Sequence, residues 1–141
     1  MTTAALLLTL AAAVTDPTVA AVNAERARHG LKPLAQHGTL ERSSERFAHR
    51  LIRTGRFAHD ARIRVPAGRF ARLGEALAQG GRTFTPADAV RAWMGSPPHR
   101  RLLLSPRFTH AGAGAAGRTI RVLHLASAPS SRHSRLSPAA R

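Results

Sequence analysis

The chain has 141 residues, enough for one domain with its own core and too few for two domains of ordinary size. It contains no cysteine, which excludes disulfide bonds and thiolate metal sites. The formal charge of +15, from 22 Lys and Arg against 7 Asp and Glu, favours polyanionic partners such as nucleic acid, anionic lipid or wall polymers, although the arginines are spread along the chain.

The N-terminal segment is apolar. Residues 4–14 read AALLLTLAAAV, a run of 11 that is too short to span a bilayer as a helix and suits the core of a secretory signal. Ala11 to Ala13 supply a candidate cleavage site, whereas the first three residues carry no Lys or Arg. We therefore expect residues 1–15 to be a signal-like segment; the alternative is an extra apolar helix.

A first helix is predicted from the dipeptide Asp16-Pro17. Aspartate is a preferred N-cap residue and proline is well suited to the first helical position, and the helix should end at Gly30. The residues after it should be extended, because Lys32 precedes a proline.

A second helix is predicted from about Thr39 to Thr54, with Gly55 just after its end. His49 lies one position off its apolar stripe and should be solvated. The stripe has the spacing of a single helix face and consists of Leu40, Ser44, Phe47, Ala48 and Leu51.

The loop after this helix contains Phe57 and His59. Phe57 is predicted to anchor the loop in the core and so to hold His59 close to it. A loop histidine beside a buried aromatic is more often a packing or hydrogen-bonding residue than a functional one.

Residues 70–78 are predicted to form a strand that places Leu73, Glu75 and Leu77 on one face. A carboxylate between two leucines needs a partner to offset the cost of its desolvation. If the segment were helical, Glu75 would simply be exposed, but the glycines around it favour strand and turn.

A third helix should begin at Thr85-Pro86 and carry Trp93. Pro97 forces the chain out of the helical region at Ser96, so that a fourth, short helix begins there with Ser96 as its N-cap. His99 then lies in a first helical turn, where the helix dipole disfavours the charged imidazolium. We therefore expect a neutral His99 with a free ring nitrogen, which makes it a candidate ligand, although a histidine in a first helical turn is more often only a surface or capping residue.

Two late strands are predicted at residues 109–115 and 119–126, joined by a turn that contains Gly117. The folded domain should span residues 16–128. The segment that follows, residues 129–141, is rich in Pro, Ser and Arg and should be a disordered basic tail. None of the short catalytic signatures is present, and His59, Glu75 and His99 are the polar residues best placed for chemistry.

Six motifs in this order resemble the CAP superfamily of cysteine-rich secretory, antigen 5 and pathogenesis-related 1 proteins, and in particular its bacterial SCP-like branch. The resemblance implies an α+β fold, an α-β-α sandwich with a small antiparallel sheet flanked by helices, in a protein that is usually secreted. The motifs are Asn23-x-x-Arg26, Gly30-Leu31-x-Pro33-Leu34, Phe57-x-His59, Gly74-Glu75, Trp93-Met94-x-Ser96-Pro97-x-His99-Arg100 and Gly112-x-Gly114.

The resemblance also implies a cleft with two histidines and two acidic residues. His59 matches the first histidine, Glu75 the acid of the Gly-Glu motif, and His99 the second histidine. The remaining acidic position is Ser96 here, and the Asn that commonly follows Gly-Glu is Ala76. Two His and one Glu with a water molecule would still suit zinc or another divalent cation.

Three functions are therefore considered. The first is a secreted or envelope-associated, monomeric binding module without turnover, whose cleft takes a metal ion, a lipid or a cell-wall ligand. The alternative is a metal-dependent hydrolase that uses His59, Glu75 and His99 to activate water. The second alternative is polyanion or nucleic-acid binding through the basic surface, in which specific nucleic-acid recognition is disfavoured by the few aromatic residues.

Overall fold

The computed structural model describes residues 14–128 and contains four helices and four strands in that range. Nearly all of the predicted signal-like segment 1–15, and the whole of the predicted tail 129–141, lie outside the described residues. No helix within residues 14–128 has the length and apolar character needed to cross a membrane. In chain order the elements are α1 (Pro17–Arg28), β1 (Ala35–Gln36), α2 (Gly38–Thr54), β2 (Arg72–Gln79), α3 (Pro86–Met94), α4 (Pro97–Leu103), β3 (His110–Ala116) and β4 (Ile120–Ser127).

The helix boundaries follow the predicted caps. Asp16 Oδ1 accepts a hydrogen bond from Thr18 N at 2.7 Å, and the Thr85 and Asp88 side chains form a reciprocal capping box at the start of α3. Gly55 ends α2 in the left-handed region with φ +66°. Two boundaries differ slightly: α1 ends at Arg28, with His29 as its C-cap, just before the predicted Gly30. The start of α2 lies one residue earlier than predicted, because the ring of His37 serves as the N-cap.

The sheet has the strand order β1-β3-β4-β2. The pairs β2·β4 and β3·β4 are antiparallel, as predicted, whereas β1 pairs parallel to β3. The sequence did not predict β1, which has only two residues and therefore no alternating pattern to recognise.

Helices cover both faces of this sheet. On one face, Phe47 and Leu51 of α2 pack against Leu77 and Val122. On the other face, residues of α1, α3 and α4 form a second core with alternate residues of the same strands, among them Val19, Val22, Trp93, Leu103, Leu123 and Leu125. This arrangement confirms the predicted α-β-α sandwich.

Gly112 and Gly114 on β3 let α2 lie directly on the sheet. A Cβ atom at Gly112 would lie 2.1 Å from Glu41 N, and one at Gly114 would lie 2.2 Å from Glu45 N. The helix backbone thus occupies the space that side chains would take. The Gly-x-Gly motif is explained by this contact between backbones.

The Asn-x-x-Arg motif of α1 holds irregular backbone in place. The side chain of Asn23 forms two hydrogen bonds with the backbone of Leu34, at 3.0 and 2.8 Å. Arg26 is 2% exposed, and its guanidinium donates to carbonyl groups that helices and sheet leave unpaired. These acceptors are the carbonyl oxygens of Lys32, Leu103, Ser105 and Phe108.

Candidate functional site

The predicted site residues lie on three separate elements. His59 lies in the loop between α2 and β2, Glu75 lies on β2, and His99 lies in the first turn of α4. The side chain of Glu75 is 6% exposed, whereas that of His59 is 61% exposed. The site therefore has a buried carboxylate beneath an accessible imidazole.

Glu75 has the partners that its burial requires. Its Oε1 accepts from His59 Nδ1 at 2.8 Å and from the backbone N–H of Asp60 at 3.1 Å. Its Oε2 accepts from His124 Nε2 at 3.0 Å. Burial alone would raise the pKa of the Glu75 carboxyl, but these hydrogen bonds outweigh it and hold the pKa below its usual value.

His124 is the member of this cluster that the sequence did not predict. It is 1% exposed, its ring stacks on Phe47 with the centroids 6.2 Å apart, and its backbone N–H donates to Ser44 Oγ. Glu75 and His124 are directly opposite each other in the β2·β4 register. The signal in the sequence is the unpaired carboxylate of a predicted strand, which calls for a polar residue on a neighbouring strand.

His99 lies beside His59 without a hydrogen bond between them. Their ring centroids are 6.4 Å apart, and His99 Nδ1 lies 3.0 Å from Ser96 Oγ. Burial and the nearby charge of His59 lower the pKa of His99, which agrees in direction with the expected neutral state. Ser96 occupies the predicted N-cap position, but its side chain makes no capping hydrogen bond and contacts His99 instead.

The predicted role of Phe57 is wrong. Its side chain is exposed, at 44%, and does not anchor the loop in the core. Polar contacts hold this loop instead: Asp60 donates its N–H to Glu75 and forms an ion pair with Arg50 of α2.

Two imidazoles at the site retain an unengaged nitrogen. His59 and His99 each use Nδ1 locally, and the Nε2 atom of each ring has no hydrogen-bond partner among residues 14–128. Over the same residues, no group of three or more His, Asp or Glu side chains has the geometry to hold a metal ion. The donor set therefore does not fit a site with three protein ligands, because Glu75 is engaged with its hydrogen-bond donors.

Comparisons with known proteins agree on the family. A family model described as CAP, the cysteine-rich secretory protein family, matches residues 19–119. The Bacillus subtilis (strain 168) protein YkwD, described as uncharacterized, is 34% identical over 100 residues, which cover 65% of this chain and 38% of that protein. The chain thus spans well under half of the length of this relative.

Solved structures show the same fold. A Bacillus anthracis extracellular protein containing an SCP domain matches with a TM-score of 0.62 at 23% identity, over 75% of this chain and 37% of that one. An outer surface protein of Borrelia burgdorferi matches with a TM-score of 0.66 at 21% identity, over 78% of this chain and 89% of that one.

Proposed function

Because the chain belongs to the cysteine-rich secretory protein (CAP) family, we propose that it is a secreted or envelope-associated binding module that acts without turnover. The structural neighbours described as an extracellular and an outer surface protein support this location, as does the apolar segment at residues 4–14. The ligand of the cleft is a metal ion, a lipid or a cell-wall fragment.

The engagement of Glu75 is the observation that favours binding over catalysis. A metal-dependent hydrolase whose metal is held by the imidazoles of His59 and His99 needs a free carboxylate to take a proton from water. Both oxygens of Glu75 already accept hydrogen bonds, and Ser96 stands where the family pattern offers a second acid. Glu75 therefore serves as a support that orients His59, with its Nδ1 bonded inward and its Nε2 available.

Zinc or another divalent cation is the simplest ligand to test. In this proposal the cation is held by His59 and His99, with water or a further ligand completing its coordination. A loss of the Glu75 support would weaken such a site indirectly, by releasing the ring of His59.

A calorimetric zinc titration at about pH 7 tests the cleft, because free imidazole is then largely neutral. We expect saturable binding with one site in the wild type, and its loss in both His59→Ala and His99→Ala. His49→Ala is the matched control, since His49 is an exposed histidine of α2 and should leave the binding unchanged.

Two results would contradict this proposal. An absence of zinc binding in a folded sample would remove the metal and leave lipids and wall fragments to be titrated in the same way. Cleavage of a peptide or ester substrate that is abolished by His99→Ala would instead favour the metal-dependent hydrolase.

A further inference from the structure

The solvent-facing side of α2 carries a row of arginines. Arg42, Arg46, Arg50 and Arg53 are spaced by four, four and three residues, which places them on one helix face. The loop that contains Asp60 and Arg64 forms the opposite wall, and the two enclose a groove of about 660 Å³. We call this the arginine groove.

The arginine groove has an excess of positive charge. Its lining has five arginines and two carboxylates, Glu45 and Asp60. Asp60 pairs with Arg50 and lies 4.0 Å from Arg64 Nε. The other three arginines of the row form no ion pair or side-chain hydrogen bond within residues 14–128, so their guanidinium groups are available to an anion.

Arg50 gives the groove a fixed shape. Its guanidinium carbon lies 4.6 Å from the centroid of the Phe47 ring, and its pair with Asp60 ties the loop to the helix. Only 25% of its side chain is exposed. Because both walls are held in place before a ligand binds, the binding of an anion costs less conformational entropy in the protein.

The arginine groove leads to the candidate cleft. A smaller hollow of about 270 Å³ shares Phe47, Arg50 and Asp60 with the groove and is also lined by His59. The arginine row from position 42 to position 53 extends for about 16 Å along α2, at 1.5 Å per residue. The combined surface therefore suits a chain more than a single small anion.

We propose that the arginine groove binds a linear polymer of phosphate groups, which lies along α2 with one end directed toward His59. Guanidinium groups bind phosphate through paired hydrogen bonds, and a row of them matches a repeating anion. This inference rests on the proposed function only in treating the domain as a binding module.

The shape and composition of the groove argue against two other anionic partners. A bilayer presents its headgroups in a plane, whereas this surface is concave. Single-stranded nucleic acid binds by stacking successive bases on several exposed aromatic rings. Among the described residues that line the groove, Phe47 is 6% exposed beneath Arg50, which leaves the imidazole of His49 as a single exposed ring.

The test is a binding titration of the 141-residue chain with linear polyphosphate long enough to span about 16 Å. The groove variant is Arg46→Gln with Arg53→Gln, which removes two unpaired arginines and spares Arg50. The control variant is Arg82→Gln with Arg118→Gln, which removes the same charge from two exposed turns. Circular dichroism confirms that both variants are folded.

We expect the groove variant to bind polyphosphate about tenfold more weakly or worse, and the control variant to stay close to the wild type. The slope of log affinity against log salt should also fall by about one for each arginine that contacted phosphate. Equal weakening in both variants would overturn the proposal, because net charge alone would then explain binding.

Three further ligands test the phosphate polymer itself. Linear polyglutamate, duplex DNA and vesicles of phosphatidylglycerol should each bind more weakly than polyphosphate and distinguish less between the two variants. A ligand among them that binds as tightly, with the same loss in the groove variant, would overturn the assignment.

The outcome for the groove is separable from that for the cleft. A wild-type protein that binds zinc but does not bind polyphosphate would reject the groove alone. Release of inorganic phosphate from the polymer would contradict a binding module without turnover while leaving the groove in place.

Discussion

Glu75 is the residue on which the candidate site depends. Three N–H donors, two from adjacent residues of the loop before β2 and one from β4, meet at one buried carboxylate, so its negative charge is stabilised by geometry that only the folded state provides. The same contacts fix the ring of His59 and the start of the Asp60 loop. The cleft and the stability of the fold are therefore joined at this side chain.

Glu75→Gln should reduce both the free energy of unfolding and its dependence on pH. The folded state holds the pKa of Glu75 below the unfolded value of about 4.3, so this carboxylate stabilises the fold above that pH, and the contribution is lost as pH falls through the folded pKa. We expect a loss of about 2 kcal/mol at neutral pH in Glu75→Gln, with a shallower decline in acid. Urea unfolding at several pH values measures both effects.

His99 affects a separate pH range. Because the folded state lowers its pKa, the unfolded chain takes up the proton first, and stability should begin to fall as pH drops below about 6.5.

The control for Glu75→Gln is Glu45→Gln, at an exposed position of α2, which should change stability by less than about 0.5 kcal/mol. An acid profile unchanged by Glu75→Gln would show that its hydrogen bonds do not stabilise the fold.

At the residue scale, the sequence predicted some contacts and missed others. The alternation of the predicted strand placed Glu75 between two leucines, which predicted that its carboxylate has a polar partner. In the structure its partners include two histidines. His124 was missed because partner identity depends on the β2·β4 register, which the sequence of either strand does not contain. Phe57 was misplaced because an aromatic residue in a loop is held by whatever tertiary contacts exist there, and here these are polar.

At the element scale, α2 and β3 are in direct backbone contact at Gly112 and Gly114. Gly112→Ala would place a carbon atom within 2.1 Å of the backbone of α2, which cannot move aside as a flexible side chain would. We expect the fold to lose about 3 kcal/mol or more. Thermal unfolding measures this loss.

Gly81→Ala is the matched control, because a Cβ atom there would meet nothing within 4 Å. Its unfolding temperature should remain near that of the wild type. A Gly112→Ala protein as stable as the control would mean that α2 can shift on the sheet, contrary to the contact described above.

Helices and strands differed in how well the sequence predicted them. Asp16, Thr85 and Gly55 marked helix ends because caps are local, and the structure confirms them. The two-residue β1 was missed because its pairing is determined by β3, far along the chain. The role of the glycines on β3 could likewise not be predicted, because it depends on where α2 packs on the sheet.

At the scale of the whole molecule, the net charge of +15 should destabilise the compact state through self-repulsion. Raising sodium chloride from about 0.02 M to about 0.5 M shortens the screening length severalfold and should raise the melting temperature by a few degrees. The same change should weaken polyphosphate binding, so stability and affinity should respond to salt in opposite directions.

A charge-reduced variant provides the comparison. Arg46→Glu with Arg53→Glu lowers the net charge by four and should show a smaller gain in melting temperature with salt. An equal gain in both proteins would trace the effect to a general action of the salt on hydration, and not to repulsion among the arginines.

The whole fold was predicted mainly by the resemblance to the CAP family, since periodicity alone indicated only a mixed α/β domain. The arginine groove was not predicted. In the linear sequence the arginines at positions 42, 46, 50 and 53 are separated by two or three other residues, and only the pitch of a helix brings them to one side. A search for contiguous basic blocks does not detect such a pattern.

Asp60 contacts residues of both the candidate cleft and the arginine groove. Its backbone N–H holds Glu75 at the cleft, and its carboxylate holds Arg50 at the groove. A ligand that draws Arg50 away from Asp60 would alter the support of the cleft and so change the affinity of the cleft for its own ligand. Thermodynamic linkage then requires that the cleft ligand change the affinity of the groove by the same factor. A junction of this kind would make the two binding events cooperative, with Asp60 determining the sign and strength of their coupling.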